Sequence, residues 1–307
     1  MLTKPTLLVL AAGMATRYGS LKQLDSFGPN GETIIDYSVY DARRAGFGKI
    51  VFVIRASMQA EFQAILRRLP ANLEVVTLNQ ELDLLPPTYL VPVNRSKPWG
   101  TGHAVWVAAA AINEPFAVVN GDDFYGFQSF KLAADFLRDT PAETDYGLVG
   151  FKLENTLSEH GAVSRGECQT NPQGYLQSLT EQPHIVRTDD GIAVLNPDAA
   201  PRMLTGQELV SMNLLALKPA FFSHVDQELK EFLRTSGTDP NAEFYLPLVI
   251  DKMVKANRAR VKVLETPEKW FGVTYPADKP AVVQNIQRLV HESAYPNPLF
   301  TAFNPIL

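Results

Sequence analysis

A single cysteine, Cys168, stands among 307 residues. This excludes an internal disulfide and a multi-thiolate metal site, and it fits a reducing compartment. Excess positive charge is also missing. Lys and Arg number 28 against 33 Asp and Glu, a formal net charge of −5. The surface as a whole is therefore no nucleic-acid clamp, and any phosphate chemistry needs positive charge gathered locally. No stretch approaches the ~18 apolar residues of a membrane helix. The run from Thr6 to Ala12 follows Lys4 in the manner of a short signal peptide, but it gives way to Gly13 and Arg17. A buried strand entering a glycine turn accounts for it better, and a cytoplasmic location is expected. Internal repeats and low-complexity segments are absent. With 46% hydrophobic and 20% charged residues, the composition is that of a folded globular protein and not of a disordered or collagen-like chain. At roughly 150 residues per domain, the length suits two domains or one large α/β unit with an appendage.

What is present alternates short apolar runs with helical patterns. Leu7 to Ala12 is continuously apolar, as a strand buried on both faces must be. Thr33 to Ala45 reads as a helix: Thr33 can cap it, Asp36 suits its first turn, Arg43 and Arg44 suit its last, and Gly46 stops it. A strand over Lys49 to Ile54, a helix over Met58 to Leu69 and a strand over Leu73 to Leu78 follow. A helix begins near Thr101 and leads to a strand over Phe116 to Asn120. This spacing predicts parallel strands joined by right-handed crossovers, with the site at their carboxyl ends. In the second half, strands are expected at Tyr146 to Phe151, Tyr175 to Thr180, Leu209 to Leu217 and Val261 to Leu264. Helices are expected at Phe244 to Lys255 and Pro280 to His291. Leu153 to Arg202 is rich in turn formers and reads as loops and hairpins added to the sheet. The tail from Tyr295 carries Leu299, Phe300, Phe303 and Ile306, and suits either its own domain or a partner subunit.

Three segments carry chemistry. After the first strand comes Gly13-Met14-Ala15-Thr16-Arg17-Tyr18-Gly19-Ser20-Leu21-Lys22, with no acidic residue between Leu7 and Leu24. Small residues let backbone N–H groups approach phosphate oxygens, and the two cations supply charge. It is neither the three-glycine dinucleotide fingerprint nor a Walker loop; a glycine turn beside two surface cations is the plain alternative. Asp122 and Asp123 end the strand at Asn120. Paired carboxylates there suit Mg²⁺, which takes oxygen ligands alongside phosphates, although an aspartate pair can also simply cap a turn. Gly100-Thr101-Gly102-His103 opens a helix whose free N–H groups can meet a base edge or a phosphate. His103 there is better read as a satisfied first-turn histidine than as a catalytic one.

Together these segments resemble the sugar-phosphate nucleotidyltransferases, or NDP-sugar pyrophosphorylases. Leu10-Ala11-Ala12-Gly13-x-x-x-Arg17 followed by Lys22 is similar to that family's nucleotide loop. Pro98-Trp99-Gly100-Thr101-Gly102-His103-Ala104, Asn120-Gly121-Asp122-Asp123, Val210-Ser211-Met212-Asn213-Leu214 and Ala242-Glu243-Phe244-Tyr245-Leu246 follow in the family's order. The resemblance implies an α/β fold, a Rossmann-like mixed, mainly parallel sheet flanked by helices with inserted sugar-binding hairpins. It implies a nucleotidyltransferase domain over 1–290, with a nucleotide-binding half at 1–125, a sugar-phosphate-binding half at 126–290, and a tail at 291–307. The implied reaction moves a nucleoside monophosphate from a nucleoside triphosphate to a sugar 1-phosphate with Mg²⁺ as cofactor. Arg17 and Lys22 would be catalytic. Ala11, Ala12, Gly13, Met14, Ala15, Gln80, Gly100, Thr101, Gly102 and Asp122 would hold the nucleotide, with Gln80 pointing to a uridine or thymidine base. Gly161, Glu181 and Asn213 would hold the sugar and Asp122 the metal, with Asp123 behind it; Asp278 could stand in as a further metal ligand, or Lys269 could neutralise phosphate instead. A homo-oligomer is open. Two positions depart from the pattern: Gln182 stands where many members have a phosphate-gripping Lys after the Glu, and Gly272 where many have a second metal aspartate. Those departures keep a non-catalytic nucleotide-sugar binder in play, and the Asp122-Asp123 pair would equally serve a glycosyltransferase of related fold.

Overall fold

The computed structural model describes residues 3–13, 25–196, 199–273 and 275–300. Its first half follows the expected alternation. Strand β1 (Thr6–Leu10), helix α1 (Ile34–Ala45), strand β2 (Lys49–Ile54), helix α2 (Gln59–Leu66) and strand β3 (Glu74–Asn79) lead to helix α3 (Thr101–Ala108) and strand β4 (Phe116–Asn120). β4, β1, β2 and β3 lie side by side in parallel, with Leu8 opposite Val51 and Val118. Every residue of β1 is buried because helices cover both faces. Leu7 and Val9 pack with Ile35, Val39 and Phe130, whereas Leu8 and Leu10 pack with Val105, Val225 and Val249. This is why β1 reads as an unbroken apolar run instead of an alternating one.

α1 is set by its ends. Thr33 accepts the Asp36 N–H and Asp36 accepts the Thr33 N–H, a reciprocal capping box, while Gly46 closes the helix in the left-handed region at φ 103°. Asp36 is fully buried and receives the guanidinium of Arg68 at 2.7 Å. Burial pushes its carboxyl up, and the Arg68 and Thr33 hydrogen bonds oppose that.

The second half closes the sheet in a mixed manner. It comprises β5 (Asp123–Phe124), α4 (Phe127–Asp139), β6 (Asp145–Lys152), β7 (Val163–Thr170), β8 (Leu176–Thr188), β9 (Gly191–Asn196), β10 (Ala199–Leu204) and β11 (Leu209–Leu217). α5 (Phe221–Ser236), α6 (Leu246–Lys255), β12 (Arg260–Glu265), β13 (Phe271–Gly272) and α7 (Lys279–His291) follow. β11 runs antiparallel to β4 and carries the sheet onward through β7, β8, β9 and β10, with β6 and β12 alongside. The stretch expected as loops and hairpins is thus mostly antiparallel ribbon. α4 and α5 go beyond the sequence expectations, yet each buries one face: Phe130, Ala133, Ala134 and Leu137 in α4, and Phe221, Val225, Leu229 and Leu233 in α5. Among the described residues, no helix is long and apolar enough to cross a membrane.

The start of the tail packs on its own chain. Tyr295 and Leu299 are buried with Tyr37, Phe124 and Ile286, and the Tyr295 hydroxyl donates to Asp41 Oδ2 at 2.6 Å. Burial is the main cause that lifts the Asp41 carboxyl to about 7; the Tyr295 hydrogen bond and Arg44 oppose it, and Glu268 adds to it. The unfolded value is near 3.9, so folding takes up a proton between about pH 4 and pH 7, and stability falls as pH rises through that window. Asp41→Asn keeps the acceptor and removes the charge. It is expected to raise the melting temperature by a few degrees at pH 8 and by clearly less at pH 5, where only part of that window has been crossed. Equal shifts at both pH values in a thermal scan would contradict this.

Candidate functional site

A cavity of about 660 Å³ opens at the carboxyl ends of β1 and β4. The two strand ends are tied where they enter it. Gly121 N–H donates to Leu10 O and Ala11 N–H to Val53 O, both at 2.8 Å. A Cβ on Gly121 would lie 3.0 Å from Ala11 Cβ, so the two loops touch through small residues. Ala12 and Gly13 line the cavity, and Ala11 is buried beneath them. Met14, Ala15, Arg17 and Lys22 lie outside the described residues.

Asp122 and Asp123 form the next wall. Asp123 is buried and accepts the Asn120 side-chain amide at 2.9 Å, with the Tyr125 hydroxyl 3.3 Å away. That hydroxyl also accepts the Asn120 N–H and reaches Met212 O at 2.8 Å. Burial first, then the neighbouring charge of Asp122, raises the Asp123 carboxyl to about 7. β13 pairs antiparallel with β5, placing Gly272 opposite Asp123, and a Cβ on Gly272 would fall 2.8 Å from Asp123 Oδ1. The carboxylate of Asp123 therefore occupies the ground a side chain at 272 would need. Asp278 is not brought to the cavity wall. Its Oδ1 accepts the Ser158 hydroxyl at 2.9 Å and its Oδ2 the Tyr275 N–H at 2.7 Å, reaching back across the short turn Pro276–Asp278.

The third wall joins two distant segments. Phe244 N–H donates to Trp99 O at 2.6 Å, Gly102 N–H to Phe244 O at 2.8 Å, and Leu246 N–H to the Thr101 hydroxyl at 3.0 Å. Gly100, the residue before α3, has φ 105°, and a Cβ there would meet Phe244 O at 2.6 Å. Gly100→Ala is thus both strained and sterically blocked. It should lower the melting temperature by several degrees; a variant with wild-type stability would overturn this view of the wall. Gly100 and Thr101 line the cavity, whereas Gly102 is covered by the Phe244 ring. Gln80 also lines it; its Nε2 donates to Gly100 O at 3.0 Å and to His103 Nδ1 at 3.1 Å. His103 is fully buried, its Nε2 lies 2.7 Å from Leu84 O, and burial, reinforced by the charge of Arg95, pulls its pKa down to about 4.

The last wall comes from the hairpins. Glu181 on β8 and Asn213 on β11 both face the cavity. Asn213 takes φ 64° where β11 bulges between Ser211 and Leu215 and changes neighbour from β7 to β4, and such bulges re-aim side chains. Gly161 does not line the cavity; it packs near the Tyr275 ring. Ser211, Glu243 and Tyr245, from segments that carry the resemblance, and Trp270 also line the cavity, while Lys97 and Arg165 join the lining without having been singled out in the sequence. Arg165 stands opposite Gln182 in the β7–β8 register. Its guanidinium is buried over the Trp270 ring at 4.7 Å, donating to Ser164 O at 2.8 Å and to the Thr156 hydroxyl and carbonyl. Burial lowers its pKa to about 10, against the pull of Asp123, Glu181 and Asp278.

Among the described lining residues, Lys97 and Arg165 face four acids, Asp122, Asp123, Glu181 and Glu243, with Lys97 already paired to Glu243 at 3.2 Å. An anionic ligand here needs further positive charge. Among the described residues no three His, Cys, Asp or Glu side chains cluster to hold a metal by themselves. Two adjacent carboxylates are nevertheless the donor set of a hard cation that shares its coordination with water and substrate phosphates.

The chain belongs to the nucleotidyl transferase family, whose model matches residues 7–243. Solved structures share its fold. The inositol-1-phosphate CTP transferase from T. maritima is 14% identical, with a TM-score of 0.62 over 94% of this chain and 96% of that one. A UDP-glucose pyrophosphorylase complexed with UDP-glucose is 15% identical, with a TM-score of 0.61 over 93% of this chain and 99% of that one. At this identity the likeness speaks for the fold, a mixed sheet with parallel core strands flanked by helices. No curated protein matches the chain.

Proposed function

We propose that the protein transfers a nucleoside monophosphate from a nucleoside triphosphate to a sugar 1-phosphate, or a similarly phosphorylated acceptor, giving a nucleoside diphosphate sugar and pyrophosphate. The observation that carries this reading is one cavity bringing together Ala12, Gly13, Gln80, Gly100, Asp122, Glu181 and Asn213 from six separate segments. The names of the two structural neighbours, a CTP transferase of inositol 1-phosphate and a pyrophosphorylase holding UDP-glucose, support it.

In this reaction an acceptor phosphate oxygen forms a bond to the α-phosphorus while the bond from that phosphorus to the bridging oxygen of pyrophosphate breaks. The nucleophile is already ionised, so the protein needs no general base; its task is to hold two anions together. At 4 Å and an effective dielectric of about 20, each opposite-charge pair contributes roughly 4 kcal/mol. The acids of the described lining oppose the anions, so the account rests on Arg17 to hold the β- and γ-phosphates and on Lys22 to bridge both reactants. Mg²⁺ fits the Asp122–Asp123 pair, where it would neutralise charge at the α-phosphate. The rest is positioning and preorganised charge. Glu181 and Asn213 offer hydrogen bonds to acceptor hydroxyls, and Arg165 places a cation beside Gln182.

A panel of nucleoside triphosphates and sugar 1-phosphates, read by pyrophosphate release with Mg²⁺ present, tests the proposal. Release that requires both reactants is expected. Release of nucleoside diphosphate from a nucleotide sugar would point to a glycosyltransferase, and tight nucleotide-sugar binding without turnover to a regulatory binder, the reading that Gln182 and Gly272 favour.

A further inference from the structure

We infer that His103 is a positioning residue: through its Nδ1 lone pair it fixes the Gln80 side-chain amide so that only the carbonyl oxygen is offered to the nucleobase. This inference rests on the nucleotide-site reading above. The hydrogen-bond directions follow from groups that have no choice. Leu84 O can only accept, so the His103 Nε2 that lies 2.7 Å from it carries the ring proton. The other ring nitrogen, Nδ1, is then a bare acceptor. Gly100 O is likewise an obligate acceptor, so the Gln80 atom 3.0 Å from it is the amide nitrogen. That nitrogen has two hydrogens; one goes to Gly100 O and the other to His103 Nδ1 at 3.1 Å. Turning the amide over would set its oxygen against a carbonyl oxygen and a ring lone pair at once. Trp106 stacks on the imidazole at 5.7 Å and 19°, which keeps the ring in plane.

Gln80 Oε1 remains without a partner among the described residues, on a side chain that lines both this cavity and a neighbouring one of about 200 Å³. The subsite therefore shows the base an acceptor, and selects a base that places an N–H, imide or amino, at that edge. A base presenting a lone pair there leaves two acceptors facing each other, the unpaired arrangement that polar sites reject most strongly. With the His103 acceptor gone, one amide hydrogen loses its partner and the amide is freer to turn, so selectivity falls more than overall binding.

Two near-isosteric replacements separate this role from plain support of the 82–85 loop. In His103→Asn the side-chain oxygen can sit where Nδ1 sits and still accept from Gln80, while the bond to Leu84 is lost. In His103→Gln the amide nitrogen can reach Leu84 O, while the acceptor for Gln80 is lost. The measurement is the dissociation constant of the full-length protein with Mg²⁺ for UTP, dTTP, CTP, ATP and GTP, with melting temperatures alongside. The wild type is expected to discriminate among them. His103→Asn should keep the ratio of best to worst triphosphate within about threefold of wild type, and His103→Gln should reduce it roughly tenfold or more. The reverse order, equal loss in both variants, or equal retention in both overturns the role of His103 while leaving the nucleotide site intact. A wild-type protein that binds none of the five overturns the site itself and this inference with it.

Discussion

Asp122→Asn is expected to cut turnover at least a hundredfold under saturating Mg²⁺, with a melting temperature within a few degrees of wild type. The substitution keeps the size of the side chain but removes the charge of the more accessible of the two carboxyl groups that follow β4. Asp123 is the less available partner. Its carboxylate is buried, bonded to the Asn120 amide and pushed toward neutrality by burial, so the accessible charge for a divalent cation rests with Asp122. Losing a preorganised charge at the reacting phosphate typically costs two to three orders of magnitude in rate. A steady-state Mg²⁺ titration checks this: the variant should need far more metal and still fall short. Full activity at ordinary Mg²⁺ would remove the metal from this wall.

Arg17→Ala and Lys22→Ala should each lower turnover at least a hundredfold while the melting temperature stays nearly unchanged. Four acids and two cations line the described part of the cavity, and one of those cations is spent on Glu243. Beyond the charge that Mg²⁺ would supply, two phosphorylated anions need further cations there, and Arg17 and Lys22 are the charges that the small-residue segment after β1 carries. Single-turnover rates at saturating reactants, with the thermal scan as a folding control, are the readout. A wild-type rate from either variant would take the catalytic role away from that residue.

The sequence shows the elements set by local physics. The capping box at Thr33 and Asp36, the stop at Gly46, the continuous burial of β1 and the span of β11 all follow from residues within a few positions of one another. The cavity's strand-end wall is legible for the same reason, because a parallel α/β pattern fixes where ligands meet the sheet. What is hidden depends on register between distant segments. Arg165 faces Gln182 only because β7 and β8 pair as they do, and no local signal in Ser164-Arg165-Gly166 announces it. The relation between Gly272 and Asp123 is of the same kind: the glycine looks like a missing carboxylate until β13 is laid against β5 and Asp123 is found in the space. Asp278 also depends on placement the sequence does not show: it is close in sequence to Trp270, and the Pro276 turn sets its carboxylate against Ser158 and Tyr275. α4 and α5 carry readable four-residue spacings of apolar side chains, so their signal was local after all.

A crystal structure with Mg²⁺ and a non-hydrolysable nucleoside triphosphate puts the whole arrangement at risk in one experiment. The result predicted is the base beside Gln80 and Gly100, the cation at Asp122, and the triphosphate held by Arg17 and Lys22. A triphosphate bound elsewhere, or a cavity that stays empty at saturating nucleotide while those two side chains face bulk water, would contradict it.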